Sequence, residues 1–226
     1  RSTLFPYTTL FRSTNLVRDY MASRGEYIAA KLMAKLTGFD FIDAADIIRF
    51  GDDGLYDADA TGPLIRKVLA AHDRAVIPGF YGTRHDGLVE TFTRGGSDIS
   101  GAIVAAAVGA DMYENWTDVS GMLMADPAIV ENPIPVPLVT YRELREMAYL
   151  GAEVMHQDAV FPVIKMNIPI SIKNTFEPGE PGTLIVKSAR YYESRLDISG
   201  ISGRRGFVGI EVRRSEERRV GKECRS

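Results

Sequence analysis

Apolar and polar residues follow one another along the chain in patterns that predict helices and strands in turn. Between residues 19 and 36, apolar residues recur at every third or fourth position, which is typical of a helix with one buried face. Gly38 then supplies a stop signal for this helix. We expect its apolar side chains to face the core, namely Tyr20, Met21, Tyr27, Ile28, Leu32, Met33 and Leu36.

Shorter elements follow, and strands alternate with helices. Brief strands are predicted at FDFID and DIIRF within 39–50, then at 74–80, 88–92, 112–116, 169–173 and 182–186. Helices are predicted at 63–72, with Thr61 as the cap, at 141–150, at 158–165 and across the alanine-rich run ISGAIVAAAVGA. This alternation predicts an α/β fold with a largely parallel sheet covered on both faces.

The two ends of the chain differ from the rest. Residues 1–13 and 214–226 can be encoded by the two complementary strands of one DNA sequence, which resembles a sequencing adapter. Chance does not produce thirteen matching codons, so we expect both ends to be adapter artefacts and exclude them from fold reasoning. The alternative, a basic tail that binds nucleic acid, leaves the complementarity unexplained.

Charge and composition exclude several classes of protein. Of the 27 basic and 30 acidic residues, seven basic and three acidic ones lie in the two ends, which leaves residues 14–213 with a net charge of −7. An acidic chain argues against a nucleic-acid surface. A hydrophobic content of 45% excludes a disordered chain, and no apolar run reaches the roughly 18 residues of a membrane span.

Few residues are suited to metal or nucleophilic chemistry. The only cysteine, Cys224, lies in the excluded end, so disulfides, thiolate zinc sites and a cysteine nucleophile are not expected. That composition is compatible with a cytoplasmic enzyme. The histidines at 72, 85 and 156 have no metal-ligand spacing, and no Walker phosphate loop or dinucleotide fingerprint is present.

A glycine-rich segment, TRGGSD at 93–98, lies between a predicted strand and the alanine-rich helix. Ligands of open parallel sheets bind beyond the carboxyl ends of the strands, so this loop is a candidate site. Its glycines let an anion approach the backbone, and Arg94 can bind a carboxylate or phosphate through two parallel hydrogen bonds. Ser97 or Asp98 could instead simply cap the helix.

Two further segments carry candidate chemistry. WTDVSG at 116–121, followed by Asp126, offers small polar groups that can bind a nucleotide's base or ribose; the alternative is an ordinary turn with an Asx bond. SRGE at 23–26 lies in the first predicted helix, where Glu26 can pair with a substrate ammonium group. A glutamate on a helix can equally well belong to a solvated face.

In combination these segments resemble the aspartate kinases of the amino acid kinase family. The matching segments run in family order and cover nearly all of residues 14–213. They are SRGE, IPGFYG, TRGGSD, WTDVSG, ADP, YRELREMAYLGAEVMH, IPISIKNTF and PGT. A single short motif of this kind is weak evidence, whereas the ordered set is strong.

The resemblance implies a fold and a reaction. The fold is a three-layer αβα sandwich with a mostly parallel central sheet. Residues 14–190 are expected to form the catalytic domain without its first strand, and 191–213 the start of a regulatory ACT domain. The implied reaction transfers the γ-phosphoryl group of ATP, with Mg²⁺, to L-aspartate, the first step toward lysine, threonine and methionine. We also expect a cytoplasmic location, a homo-oligomeric full-length protein, and no nucleic-acid or membrane partner.

The resemblance also implies a role for each site residue. Arg94 would hold the substrate α-carboxylate and Glu26 its ammonium group, and Asp98 would orient phosphate-side groups. The other expected substrate contacts are Gly95, Gly96 and Ser97, and the expected nucleotide contacts are Thr117, Asp118, Gly121 and Asp126. No protein residue is assigned as a metal ligand.

Some features depart from the family. The Lys-Phe-Gly-Gly motif of its opening strand is absent from the chain, so we expect little or no activity from the chain as written. Leu123, Ala128 and Glu153 stand where many relatives have tyrosine, arginine and lysine. The rival interpretations are a family member acting on acetylglutamate or a nucleotide, and a truncated remnant without enzymatic function. Which amino acid regulates the parent enzyme is left open.

Overall fold

The computed structural model describes residues 7–93, 95–149, 160–190, 192, 196, 198–201 and 203, with the backbone alone at 7–17 and 148–149. The helices in this part are α1 (Tyr7–Thr37), α2 (Ala44–Ile47), α3 (Ala58–Leu69), α4 (Gly96–Val108), α5 (Tyr141–Tyr149) and α6 (Phe161–Met166). The strands are β1 (Asp40–Phe41), β2 (Arg49–Phe50), β3 (Ala75–Val76), β4 (Tyr81–Arg84), β5 (Val89–Thr91), β6 (Tyr113–Thr117), β7 (Met122–Leu123), β8 (Pro135–Val136), β9 (Leu138–Thr140), β10 (Ile170–Asn174) and β11 (Thr183–Val186).

The described strands form mixed sheets. The largest has the order β6-β10-β11-β9, and a second has the order β2-β4-β5. The pairs β1–β3, β2–β4, β6–β10 and β9–β11 are parallel, whereas β4–β5, β7–β8 and β10–β11 are antiparallel. Helices packed on these strands confirm the α/β class.

Helix α4 lies between two apolar clusters. Ala102 and Ala105 pack in the cluster that includes α5, α6 and the β6–β10 sheet, whereas Ile103 packs in the cluster around α2, α3 and β4. The alanine-rich sequence is apolar nearly all round because both sides of the helix are covered. Small side chains also let α4 approach the sheet closely, so its N-terminus is held at a defined place.

The buried face of α1 differs from the predicted one. Ser23, Ala30 and Ala34 face the core, and Tyr27 contacts the ring of Phe41 edge-on at 5.3 Å. Small side chains occupy this face because α1 lies directly on β1, β3 and β5. The larger apolar side chains of the predicted face are at least half exposed: Tyr20, Met21, Ile28, Leu32, Met33 and Leu36. Their assignment to the core is wrong.

Helix α3 begins earlier than predicted. Its cap is Asp57, whose carboxylate accepts a hydrogen bond from the Ala60 amide at 2.9 Å. Thr61, predicted to be the cap, lies buried inside the helix, and its Oγ1 accepts a hydrogen bond from the Arg49 amide at 2.9 Å. Proline is favoured at the first position of a helix, which is why the sequence pattern placed the start at Pro63.

Several short elements were not predicted. DIIRF does not form one strand, because its first two residues lie in α2, which Asp43 caps through the Ala45 amide at 3.0 Å. Strands β4, β7, β8 and β9 contain only two to four residues each, too few to show a clear alternation of polar and apolar positions. The other predicted helices and strands are present, with ends shifted by a few residues.

The segment after β11 packs back on the preceding part of the chain. Ser199 donates a hydrogen bond to Glu143 Oε1 at 2.7 Å, and the Ile201 amide donates to the Met124 carbonyl at 2.6 Å. Most of 191–213 lies outside the described residues, so the start of an ACT domain there stays a prediction. The adapter boundaries also stay predictions, although α1 begins at Tyr7. Within the described part, no helix has both the length and the apolar character of a membrane span.

Candidate active site

The N-terminus of α4 forms the centre of the candidate site. Gly95 is the N-cap in a left-handed conformation (φ 56°), and no side chain caps the helix. The interpretation of Ser97 or Asp98 as a simple cap is therefore wrong, because both lie inside the first turn. A helix of 13 residues with an uncapped N-terminus presents amide donors and partial positive charge to an anion.

The loop between β3 and β4 packs directly on this helix end. A Cβ placed on Gly79 would lie 3.0 Å from the Ser97 Cα, and one on Gly96 would lie 2.7 Å from the Phe80 ring. Phe80 has a positive φ of 81°, and its amide donates to Ser100 Oγ at 2.9 Å. The structure thus brings the IPGFYG and TRGGSD segments together through contacts that need glycine.

A hydrogen bond joins the first turn of α4 to the middle of β6. Asn115 Nδ2 donates to Asp98 Oδ1 at 2.9 Å, and the Tyr113 hydroxyl donates to the Asp98 carbonyl at 3.3 Å. Burial raises the pKa of the Tyr113 phenol, although a hydrogen bond from Asn115 opposes the effect. Because Thr117 follows on the same strand, the TRGGSD and WTDVSG segments border one site.

The loop at 117–121 is tied to the segment after β10. Asn174, which is 7% exposed, donates through Nδ2 to Ser120 Oγ at 2.9 Å, and Ser120 donates to Glu177 Oε2 at 3.0 Å. The Thr175 amide donates to the Thr117 carbonyl at 2.8 Å. These bonds connect the candidate nucleotide loop to the end of β10 and the segment that follows it.

Two glycines and a threonine complete this anchor. Gly121 (φ +98°) and Gly182 (φ +70°) both have positive φ, and a Cβ on Gly182 would lie 1.9 Å from the Ile172 carbonyl oxygen. Thr183 Oγ1 accepts from the Met122 amide at 2.7 Å and donates to the Val136 carbonyl at 2.6 Å. The PGT segment therefore fixes where the WTDVSG loop turns into β7.

The remaining predicted nucleotide contacts are more exposed. Asp118 accepts from Thr117 Oγ1 at 3.2 Å. Asp126 Oδ1 accepts from the Ala128 amide at 2.8 Å, which is the Asx turn considered as the alternative for this region. Leu123 is 40% exposed on β7. Ligand contacts by these residues, and the effect of the departures at 123 and 128, stay predictions.

The substrate pair of Glu26 and Arg94 stays a prediction, because Arg94 lies outside the described residues, as does Glu153. Glu26 is exposed on α1, and its neighbour Arg24 faces inward. The Arg24 guanidinium lies 4.6 Å from the ring centroid of Tyr27 and 5.5 Å from that of Tyr81. Burial raises the pKa of Tyr81, whose hydroxyl donates to Asp43 Oδ1 at 2.6 Å.

Sequence reasoning missed three polar residues of β6 and β10. Asn115 and Asn174 bind the candidate loops, and Lys173 lies 3.1 Å from Glu114 Oε1 with its ammonium 5.3 Å from the centre of the Trp116 ring. Asparagine is depleted in strands, so an asparagine within the predicted strand 112–116 and another just after the predicted strand 169–173 were the available signal.

Neither a cavity between α5 and α6 nor a metal cluster among the described residues adds to this site. A cavity of about 420 Å³ between α5 and α6 shares no residue with it, being lined by Tyr141, Arg142, Leu144, Arg145, Val160, Phe161 and Ile164. The part of the chain that the structure describes has no group of three or more His, Cys, Asp or Glu side chains able to hold a metal ion.

Comparison with known proteins places the chain in a family. The profile of the Amino acid kinase family matches residues 5–174. The chain belongs to the amino acid kinase family. This membership accounts for the glycine-rich α4 N-terminus beside the strand ends of an α/β fold, and it confirms the fold class expected from the resemblance.

Proteins similar to this chain include several aspartate kinases. Aspartokinase 3 of Bacillus subtilis is 41% identical over 203 residues, which make up 86% of this chain and 44% of that protein. The crystal structure of Clostridium acetobutylicum aspartate kinase has a TM-score of 0.76 at 50% identity, covering 81% of this chain and 42% of that one. Escherichia coli aspartokinase III in complex with aspartate and ADP has a TM-score of 0.70 at 26% identity, over 78% and 42% of the two chains. The chain thus spans less than half the length of these relatives.

Proposed function

We propose that this chain belongs to an aspartate kinase, which transfers the γ-phosphoryl group of ATP to the side-chain carboxylate of L-aspartate and forms 4-phospho-L-aspartate. The hydrogen bond between Asp98 and Asn115 is the observation that carries the proposal. It joins the first turn of α4, which suits the phosphoryl acceptor, to β6, the strand that leads into the candidate nucleotide loop. The similarity to aspartokinases along 86% of this chain supports the choice of substrate.

On the acceptor side, Arg94 would bind the α-carboxylate of aspartate and Glu26 its ammonium group. Arginine suits the first task because its planar guanidinium matches a carboxylate with two hydrogen bonds. Gly95, Gly96 and Ser97 would border the reacting carboxylate at the uncapped end of α4. That carboxylate is already ionised at pH 7, so the reaction needs no general base to activate it.

On the nucleotide side, Thr117, Asp118, Gly121 and Asp126 would contact ATP. The loop at 117–121 is held by Asn174 and needs little reorganisation when the nucleotide binds. Phosphoryl transfer depends mainly on positioning and charge neutralisation, and this rigidity contributes to the first.

The carboxylate of Asp98 fits a Mg²⁺-nucleotide complex. Its Oδ1 accepts the Asn115 amide, whereas its Oδ2 accepts no hydrogen bond from the described residues. Magnesium is commonly held by one or two carboxylates together with substrate phosphates, which agrees with the lack of a larger metal cluster among the described side chains. When bound, Mg²⁺ would neutralise the charge that develops on the phosphates.

We further infer that the 226-residue chain alone has little or no kinase activity, because it contains no Lys-Phe-Gly-Gly motif. Loss of one such positive donor typically lowers the rate about 10²- to 10³-fold. The longer protein would act in the cytoplasm, where ATP is available, as a homo-oligomer with an ACT domain. Its product would lead to lysine, threonine and methionine, and it would need no nucleic-acid or membrane partner.

Calorimetry on the purified chain tests the proposed pocket. We expect L-aspartate to bind, and Arg94→Ala to abolish that binding while Arg145→Ala, a control on α5, retains it. Binding of acetylglutamate or a nucleoside monophosphate in place of aspartate would favour the other family members. Binding of neither aspartate nor ATP would favour a remnant without function.

A hydroxamate assay tests the inferred inactivity. Hydroxylamine traps aspartyl phosphate as the hydroxamate, so the chain is incubated with ATP, Mg²⁺ and L-aspartate. We expect no signal above that of a control without enzyme. Strong ATP-dependent formation of hydroxamate would refute the inactivity and at the same time support the assignment as an aspartate kinase.

A further inference from the structure

We propose that Asn115 is a positioning residue, which holds the Asp98 carboxylate in the orientation that the phosphate side of the active site requires. This inference rests on the proposed function, because it concerns the same site. Asn115 lies on β6 opposite Ile172 of β10, so the parallel pairing of the two strands fixes its place. Its Nδ2 is 2.9 Å from Asp98 Oδ1.

Asp98 is held at two points. The Asn115 amide binds its side chain, and the Tyr113 hydroxyl donates to its backbone carbonyl at 3.3 Å. Asn115 Nδ2 also lies 3.3 Å from Tyr113 Oη, so the two holding groups contact each other. Tyr113 and Asn115 are two positions apart on one strand and therefore face the same side of the sheet.

The close approach of Tyr113 depends on a glycine in α4. A Cβ on Gly101 would lie 2.8 Å from Tyr113 Oη and 2.9 Å from a ring carbon. Glycine in a helix interior costs stability, yet here it makes room for the phenol beneath Asp98. The helix and the strand are thus shaped to bring both donors to one residue.

A neutral amide suits this task better than a cation would. The amide occupies Oδ1 and fixes the plane of the carboxylate, but it does not cancel the negative charge. Oδ2 would then stay available to the Mg²⁺ ion that accompanies the nucleotide phosphates, or to an ordered water. A lysine or arginine at this place would compete with that cation for the same carboxylate.

Calorimetric titration of the full 226-residue chain with ADP and Mg²⁺ tests this role. We expect Asn115→Leu, which lacks the donor, and Asn115→Asp, which adds a like charge, to bind about ten- to a hundred-fold more weakly. Asn115→His places Nδ1–H the same number of bonds from Cα, so it should restore most of the affinity. Glu114→Gln is the matched control, because Glu114 lies next to Asn115 but binds Trp116 and Lys173 on the opposite face.

Melting temperatures measured on the same samples separate positioning from folding. Weaker binding by Asn115→Leu and Asn115→Asp, restored by Asn115→His at similar melting temperatures, supports the proposal. Unchanged affinity in Asn115→Leu overturns it. An affinity loss that tracks the melting temperature in all three variants also overturns it, since that pattern indicates a structural role alone.

A ligand-free measurement separates this inference from the proposed function. If the chain binds no nucleotide, or Asn115→Leu does not fold, the side-chain amide signals of Asn115 are compared by NMR between the original chain and Asp98→Ala. A marked shift of those signals supports the positioning contact even where the proposed nucleotide site fails. Identical signals show that the two side chains do not interact, which overturns the inference.

Discussion

Asn174 and Ser120 are 54 residues apart in the sequence, yet Asn174 Nδ2 donates to Ser120 Oγ at 2.9 Å. The Asn174 Oδ1 accepts the Phe176 amide at 2.9 Å, so the buried side chain uses both of its ends. One residue at the end of β10 therefore determines the arrangement of the loop that leaves β6. The candidate nucleotide loop depends on a distant part of the chain for its shape.

Replacing Asn174 should loosen this loop. Asn174→Ala leaves the Phe176 amide without its acceptor, and we expect the free energy of unfolding to fall by about 1–3 kcal/mol. Ser120→Ala removes the hydrogen bond from Asn174 Nδ2 but leaves the Phe176 amide paired, so it should lower the free energy of unfolding by less. Urea unfolding of both variants gives the comparison, and a change within about 0.5 kcal/mol for Asn174→Ala would contradict the anchoring role.

Two glycines should respond in opposite directions to alanine. Gly182 has a positive φ, and a Cβ at this position would lie 1.9 Å from a carbonyl oxygen. We therefore expect Gly182→Ala to lower the free energy of unfolding by about 4 kcal/mol or more, or to prevent folding. Gly25 lies inside α1, and apart from its chain neighbours and the adjacent turns of the helix backbone, no atom lies within 4 Å of its Cβ position. Gly25→Ala should therefore raise the free energy of unfolding by about 0.5–1 kcal/mol. Thermal unfolding measures both, and similar melting temperatures for the two variants would refute the expectation.

Thr183 should tolerate serine better than valine. Its Oγ1 binds both the Met122 amide and the Val136 carbonyl, and the residue is 1% exposed. Thr183→Val keeps the side-chain shape but leaves the Met122 amide and the Val136 carbonyl without a partner. We expect each unpaired group to lower the free energy of unfolding by about 1–3 kcal/mol. Thr183→Ser retains the hydroxyl and removes one methyl group, which should lower the free energy of unfolding by about 1 kcal/mol. If urea unfolding shows Thr183→Ser to be less stable than Thr183→Val, the methyl group matters more than the hydrogen bonds.

Tyr141 should make the stability sensitive to alkaline pH. Burial raises the pKa of its phenol to about 12, against an ordinary value of 10.0, and its hydroxyl donates to the Ile168 carbonyl. The phenol of Tyr141 therefore loses its proton at a lower pH in the unfolded chain than in the folded chain. The contribution of the protonated phenol to the free energy of unfolding is lost as the pH rises from about 10 to about 12. We expect the stability gap between the chain and Tyr141→Phe to narrow over this range. Unfolding by urea at pH 9 and pH 11 checks this, and a constant gap would contradict it.

Much of the fold could be predicted because the longer elements have clear patterns. The helices at α4 and α5 and the strands β6, β10 and β11 lie close to their predicted positions. The pattern failed for α1, where an apolar stripe exists but Ala30 and Ala34 form the buried face. Periodicity shows that a helix has a stripe, whereas the room beneath the helix decides which side chains can pack there.

The candidate site was predicted in part. Short motifs placed Ser97, Asp98, Thr117 and Gly121 in loops after strands, and the structure joins the first of these segments to β6 through the Asp98–Asn115 hydrogen bond. Asn115 and Asn174 were missed, since an asparagine in a strand has no local pattern that indicates its partner. Their roles depend on contacts with residues 17 and 54 positions away.

By itself, the sequence determined the α/β class, the acidic character of residues 14–213 and the segments that resemble those of the family. These properties follow from residue type and local spacing, which act over a few turns of chain. Only the tertiary structure decided that Asn115 reaches Asp98, that Arg24 rather than Glu26 faces inward, and that Thr183 anchors the candidate nucleotide loop. Such contacts join residues far apart in the chain, and their geometry exists only once the sheets and helices have packed.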